Sequence, residues 1–128
     1  MTEYDAAGMR IRRAVLGDAH VDRASASADA FTTEFQQFLT RYAWGDVWAR
    51  PGLDRHTRSV ITVAVLTALR AEGELEMHLR GALRNGVTPD EIKEVLMHVA
   101  VYAGLPAANA AFARAARVLR EEGALPPE

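Results

Sequence analysis

Residues 54–86 read DRHTRSVITVAVLTALRAEGELEMHLRGALRNG, and this stretch decides the fold. It contains two helical patterns that meet at Glu72–Gly73, and Asp54 is a typical N-cap for the first of them. From residue 60 to residue 69 nearly every position is apolar. Because a helix that is apolar on every side is buried on every side, we expect this helix to form the centre of the molecule.

The remainder of the chain is also helical in pattern, and it lacks the alternation typical of strands. Amphipathic spacing predicts helices over residues 4–16 and 31–42, whereas residues 18–28 show no strong element. Thr88 to Glu91 form a capping box with proline at the first helical position, and an alanine-rich helix follows Pro106. The sequence predicts an all-α fold, a single-domain helical bundle of about six helices over residues 1–128.

Composition excludes several classes of function. The net charge of −2 gives no general attraction to nucleic acid or to an anionic membrane. The chain has no cysteine, which excludes thiol nucleophiles, dithiol redox chemistry and thiolate metal sites. No run resembles a signal peptide, and the apolar stretches are shorter than the ~20 residues that span a bilayer. We therefore expect a soluble cytoplasmic protein.

Polar groups flank the apolar helix at both ends. Arg55, His56 and Arg58 lie in its first turn, where backbone N–H groups and the helix dipole favour an anion. Glu74 and His78 lie four residues apart in the next helix, on one face. The alternatives are a surface Glu–His pair and arginines that are solvated, or paired with a neighbouring acid or subunit.

Five short strings, in order along the chain, resemble the decarboxylase branch of the carboxymuconolactone decarboxylase and alkylhydroperoxidase superfamily. The resemblance extends from about residue 9 to residue 120. The strings are AWGDVW (43–48), RPGL (50–53), RHTRS (55–59), MHLR (77–80) and YAGLPAAN (102–109).

The chain departs from the peroxidase branch of that superfamily. That branch has a CxxC pair ending four residues before the histidine, and an acidic residue twelve positions before the first cysteine. Here Ala71 and Glu74 occupy the cysteine positions, and Ser59 occupies the acidic one. Thiol peroxidase activity is therefore excluded.

The resemblance implies an alkylhydroperoxidase-like protomer in a ring-like homo-oligomer, most simply a hexamer. It implies a carboxy-lyase that converts 4-carboxymuconolactone to the 3-oxoadipate enol-lactone, in the protocatechuate branch of the β-ketoadipate pathway of aromatic hydrocarbon catabolism. The alternative is a non-catalytic oligomeric ligand-binding relative of the same fold. The two differ in whether His78, Glu74 and the cations at 55–58 converge on one closed pocket.

The chemistry of that reaction suggests roles for the candidate residues. Loss of carbon dioxide sends electrons through the ring double bond onto the lactone carbonyl, so the substrate carries its own electron sink and we expect no cofactor. His78 is the candidate proton donor or oxyanion donor, and Glu74 orients its imidazole. His56 is a further candidate oxyanion donor, although a lone histidine at a helix start is more often structural.

The dicarboxylate lactone also needs cationic anchors. Arg58 can hold a carboxylate through two parallel hydrogen bonds, and Arg55 and Arg50 are further candidates. Trp44 and Trp48 are core or interface residues in one interpretation and walls of the substrate pocket in the other.

Several other polar residues receive structural interpretations. We expect no metal, because the histidines lack HxxxH or HxH spacing. His98 is interpreted as structural, and Arg80 as a surface partner of Glu76.

Overall fold

The computed structural model describes residues 3–128, with side chains from Asp5 onward. Every regular element in this range is a helix, which confirms the predicted all-α class. The sequence predicts about six helices, whereas the described residues form seven α-helices and one π-helix. The number is higher because residues 18–26 are also helical and the aromatic segment around Trp44 forms a π-helix directly after α3. In chain order these are α1 (Glu3–Leu16), α2 (Asp18–Ala26), α3 (Thr33–Leu39), the π-helix (Thr40–Trp48), α4 (Arg55–Leu69), α5 (Glu72–Arg84), α6 (Pro89–Ala103) and α7 (Leu105–Glu121).

The helices form two compact units. The N-terminal unit ends at Asp54, and the C-terminal unit extends from Arg55 to Glu128. That the chain is one domain stays a prediction. Within residues 3–128, no helix combines the length and the apolar character needed to cross a membrane.

The N-terminal unit depends on a close approach between α1 and the π-helix. Gly8 makes this possible, because a Cβ atom there would lie 2.6 Å from the carbonyl oxygen of Thr40 and 3.0 Å from the nitrogen of Gly45. Val15 and Val21 are fully buried in this unit. A side chain at position 8 would therefore push apart the two helices that are packed most tightly here.

Aromatic side chains in the N-terminal unit lie mostly on its surface. Phe35, Phe38 and Tyr42 are exposed, and their rings stack in sequence with centroids 6.4 and 5.2 Å apart. The periodic spacing correctly identified one helical face, but that face does not enter the core of the isolated chain.

The C-terminal unit is a four-helix arrangement in which α4 packs against α5, α6 and α7. The predicted capping box at the start of α6 is confirmed, with the backbone N–H of Glu91 donating to the Thr88 hydroxyl. Gly86 ends the α5 segment at a φ of 84°, which favours glycine. Core residues of this unit come from all four helices and the α5–α6 loop: Val63, Leu75, Leu79, Ala82, Val87, Ile92, Leu96, Ala111, Ala115, Val118 and Leu119.

The prediction that α4 is buried on every side is wrong for the single chain. Its buried face consists of Ser59, Val63 and Thr67. The opposite face is open, and Leu69 is 70% exposed there. We call Ile61, Val65 and Leu69 the open face of α4. Three neighbouring helices cover only one side of α4, which explains the difference.

The alanine-rich face of α7 serves the interior of the protomer. Ala107, Ala108, Ala111 and Ala115 are all buried within the chain. Their small side chains allow α7 to approach its neighbours closely. This face is therefore already used, and it offers no surface to a second copy.

Candidate active site

His78 is a buried titratable side chain in the C-terminal unit. It lies on α5 beside the core residues Leu75 and Leu79, and it is 9% exposed. Its Nδ1 atom is shielded from solvent. Hydrogen bonds and charges act more strongly in such surroundings than in water. The imidazole is therefore in surroundings where a hydrogen bond or a proton that it donates to a bound substrate would have a large effect.

Glu74 lies one helical turn before His78, as predicted, but it is exposed. Because the peroxidase branch has a reactive cysteine at this position, the resemblance predicts that it faces the pocket and not the solvent, and this prediction is wrong for the isolated chain. Helical geometry explains the result, because α5 buries the face that carries Leu75, His78 and Leu79, and Glu74 falls at the edge of that face.

His56 is held by Glu91, a residue that sequence reasoning assigned only to helix capping. One oxygen of Glu91 accepts the backbone N–H of Thr88 at 2.9 Å, and the other lies 2.9 Å from Nε2 of His56. The Thr88 backbone N–H and then the His56 imidazole lower the pKa of the Glu91 carboxyl below its usual range. Because that carboxylate can only accept, Nε2 of His56 donates. The residues are 35 positions apart, so no local pattern reveals the pair.

A cleft of about 470 Å³ adjoins this pair between α4 and α6. His56, Thr57 and Val60 line one side, and the other side includes the carboxylates of Asp90, Glu91 and Glu94. Three acidic side chains repel a dicarboxylate, so this cleft does not suit the predicted substrate. Its lining includes neither the arginines of the α4 first turn nor the Glu74–His78 pair.

Arg55 and Arg58 lie on a different side of α4. Arg55 is exposed, whereas Arg58 is half-buried and its Nε atom is shielded. At 3.6 residues per turn, Arg58 falls in line with the open face that carries Ile61, Val65 and Leu69, and Arg55 falls at the edge of that face. The predicted carboxylate anchors thus lie at the start of an exposed apolar surface.

A hydrogen bond fixes the position of this turn relative to α5. The side chain of Asn85 donates to the hydroxyl of Ser59 at 2.9 Å, and Ser59 is buried. His78 lies seven residues before Asn85 on α5, which corresponds to about 10 Å along the helix axis. Asn85, and not His78, is therefore the residue that this hydrogen bond places beside the first turn of α4.

The other predicted residues belong to the N-terminal unit. Trp44 is buried and its ring lies 5.0 Å from that of Trp48, which fits the interpretation as packing residues. Arg50 is exposed just beyond the π-helix. The structure thus places Arg55, His56 and Arg58 in one turn of α4 and His78 on the adjacent helix. The two tryptophans and Arg50 lie in the other unit.

Two structural interpretations from the sequence are wrong. Arg80 pairs with Glu121 and Glu122, at 2.7 and 2.8 Å, because helix packing brings α7 closer than the neighbouring turn of α5. Glu76 instead binds Arg114 and Arg117.

His98 is the second of them. It is exposed on α6, with its ring 5.1 Å from that of Tyr102. It therefore does not serve as a buried structural histidine within the chain. In the part of the chain that the structure describes, no three His, Asp or Glu side chains are grouped to hold a metal ion.

Comparison with known proteins assigns the family. The profile of the carboxymuconolactone decarboxylase family matches residues 33–117. The chain belongs to this family. The matched range contains all eight candidate residues of the two units.

Three relatives of this family member are informative. A 4-carboxymuconolactone decarboxylase from Acinetobacter baylyi is 52% identical over 119 residues, which cover 93% of this chain and 89% of the relative. A nitrosuccinic acid decarboxylase from Metarhizium robertsii is 46% identical over 99 residues, 77% of this chain and 69% of the relative. A 4-carboxymuconolactone decarboxylase from Pseudomonas putida is 60% identical over 43 residues, 34% of this chain and 88% of the relative.

Proposed function

We propose that this protein is a carboxy-lyase that converts 4-carboxymuconolactone to the 3-oxoadipate enol-lactone, in the protocatechuate branch of the β-ketoadipate pathway. The observation that carries the proposal is the 52% identity to a decarboxylase of that name over 93% of the chain. Site geometry supports it through a buried imidazole on α5 and arginines at the start of α4.

The reaction requires that one carbon–carbon bond break and one proton arrive. The bond between the ring carbon and its carboxylate breaks, and its electron pair moves through the ring double bond onto the lactone carbonyl oxygen. Carbon dioxide leaves, and the carbon next to the carbonyl then takes a proton. Stabilisation of the developing oxyanion and delivery of this proton are the two tasks left to the protein.

His78 takes the second task in this proposal. Its burial gives the imidazole a water-poor environment, in which a preorganised donor contributes more than in solvent. Glu74 is the positioning residue one turn earlier, and we expect a neighbouring copy to cover it in the assembly. His56 stays a further candidate donor, with Glu91 holding its orientation.

Arg58 holds the acetate arm of the substrate, with Arg55 beside it. In this proposal one substrate contacts both Arg58 and His78. Arg50, Trp44 and Trp48 stay candidates for the rest of the binding surface, as the anchor and walls predicted from the sequence.

We further propose that the protein acts as a cytoplasmic homo-oligomer, with a hexamer as the expected state. The open face of α4 and the exposed Met97 and Val101 of α6 are apolar surface that a monomer leaves in water. Arg58 lies at the start of the α4 surface, so a second copy placed there would also exclude water from the anchor. Light scattering tests this, since a mass of 14.0 kDa would identify a monomer and contradict the proposal.

Decarboxylation of nitrosuccinate is the second candidate activity, favoured by the 46% identity to the relative of that name. Nitrosuccinate is also a dicarboxylate, and loss of carbon dioxide from it places the electron pair on the nitro oxygens. Both substrates thus need a carboxylate anchor and a donor to an oxyanion, although the lactone has the ring carbonyl and nitrosuccinate does not.

A spectrophotometric assay on freshly prepared 4-carboxymuconolactone, with nitrosuccinate in parallel, tests the function. We expect saturable turnover of the lactone, with kcat/KM higher than for nitrosuccinate and unchanged by a chelator. Turnover of nitrosuccinate alone would favour the second candidate, and turnover of neither would favour the non-catalytic ligand-binding alternative. Activity that chelation abolishes and one divalent ion restores would contradict the cofactor-free mechanism.

A further inference from the structure

A polar cleft of about 750 Å³ lies in the N-terminal unit, between α1, the end of α2 and α3. Arg12 of α1 lines it, and this residue is only 6% exposed. Arg41 also lines the cleft and pairs with Asp5 at 3.7 Å. The volume falls within the range of sites that hold small molecules in proteins.

Arg12 forms a defined network with neutral partners. Its Nη1 donates to the Thr40 hydroxyl at 3.0 Å, and its Nη2 donates to the Gln36 side-chain oxygen at 2.9 Å. The Thr40 hydroxyl donates in turn to the Gln36 carbonyl oxygen at 2.8 Å, which directs its lone pairs towards Arg12. The guanidinium is thus held in one orientation.

The charge of Arg12 lacks a carboxylate partner among the described residues, and its Nε finds no acceptor there. Burial, and then the charge of Arg13, lower the pKa of the Arg12 guanidinium. A buried charge that is not paired is costly, and a neutral donor would join α1 to Gln36 and Thr40 without that cost. The need to link helices therefore does not explain an arginine at this position.

We propose that this cleft is a binding site for a small hydroxycarboxylate, whose carboxylate pairs with Arg12. Two N–H groups of the guanidinium are engaged by Thr40 and Gln36, which leaves others for a carboxylate oxygen. Ser25, Thr33 and Gln37 line the same cleft and offer partners for the hydroxyl groups of the ligand. Arg41 and Asp5 also line the cleft, and their charges offset each other. This inference does not depend on the proposed decarboxylase activity.

Met9 provides a direct probe, because it lines the cleft. Met77, next to His78, reports on the candidate active site in the same sample. We would label the methionine methyl groups with ¹³C and titrate the full chain with gluconate. Sorbitol, which has the same carbon chain and hydroxyl groups without the carboxylate, is the matched control ligand, and inorganic phosphate tests for a general anion site.

We expect gluconate to shift the Met9 resonance saturably and sorbitol to leave it unchanged. Arg12→Lys should weaken binding by at least about tenfold, because an ammonium cannot reproduce the planar grip of a guanidinium. Ala28→Trp should abolish the shift by filling the cleft, and it keeps the test valid if the Arg12 variant does not fold. Arg10→Gln, an exposed change elsewhere on α1, should bind as the wild type does.

Four results would overturn the proposal. The first is that gluconate causes no saturable Met9 shift, and the second is that sorbitol causes an equal shift. The third is that phosphate binds as tightly as gluconate or more tightly. The fourth is that Arg12→Lys and Ala28→Trp both bind gluconate with wild-type affinity. A Met9 shift that depends on protein concentration without added ligand would also overturn it, because an acidic side chain of a second copy would then occupy the cleft.

Discussion

The two units of the chain each bury one ionisable side chain among the described residues, and the two side chains differ in kind. The N-terminal unit buries Arg12, which keeps its charge under all physiological conditions. The C-terminal unit buries His78, and the imidazole is the side chain that enzymes use most often for proton transfer. A fixed buried charge suits the binding of an anion, whereas a titratable one suits proton transfer. The comparison supports our two proposals, which give binding chemistry to the first unit and reaction chemistry to the second.

The largest expected effect is the loss of kcat when the buried histidine of the C-terminal unit is removed. His78→Ala should lower kcat by at least roughly a hundredfold, because general acid–base groups typically contribute 10²–10⁴ in rate. His20→Ala, a half-buried histidine of α2 in the other unit, is the matched control and should keep wild-type kcat. Initial rates on the lactone, with circular dichroism to confirm the fold, measure both. Equal activity in the two variants would remove His78 from the mechanism.

The next effect concerns the packing of the N-terminal unit. Gly8→Ala should lower the free energy of unfolding by about 1–3 kcal/mol, because the new Cβ atom would meet backbone atoms of the π-helix. Gly73→Ala in α5 has open space around it and should instead stabilise by about 0.5–1 kcal/mol. Urea unfolding measures the two changes, and hydrogen exchange shows where they act. Equal protection losses in both units would show that they do not open independently.

A smaller effect is expected on substrate binding when the proposed carboxylate anchor is changed. We expect Arg58→Lys to raise KM about tenfold, since an ammonium cannot hold a carboxylate through two parallel bonds. A fall in kcat as well would mean that Arg58 also stabilises the developing oxyanion. Arg84→Lys, an exposed change on α5, is the control. If Arg58→Lys and Arg58→Ala both retain wild-type kinetics, Arg58 is an ordinary surface residue.

The smallest effect concerns acid stability. The pKa of Glu91 is lowered in the folded protein by the Thr88 N–H and by His56, so its stabilising contribution is present near neutral pH. That contribution is lost as pH falls through the lowered pKa, where the carboxylate becomes protonated. The Tm of the wild type should therefore fall more steeply in this acid range than the Tm of Glu91→Gln. If the Tm of the two proteins changes with pH in parallel, the contacts of Glu91 with His56 and Thr88 do not stabilise the fold as described.

Local patterns predicted much of the fold and part of the site. Helix starts and ends at Thr88 and Gly86 follow from the chemistry of neighbouring residues, and the structure confirms them. The open face of α4 was mispredicted, because periodicity identifies an apolar surface without showing whether the same chain covers it. The Glu91 partner of His56 and the burial of Arg12 depend on packing between distant segments, which no local window contains.

Chemical rescue tests the central claim most directly, that His78 transfers the proton in the C-terminal unit. In His78→Ala, added imidazole can enter the space left by the side chain and act in its place. The account predicts that kcat for the lactone rises with imidazole concentration in this variant and stays constant in the wild type and in His20→Ala. A folded His78→Ala protein whose activity imidazole does not raise, beside an active wild type, would contradict it.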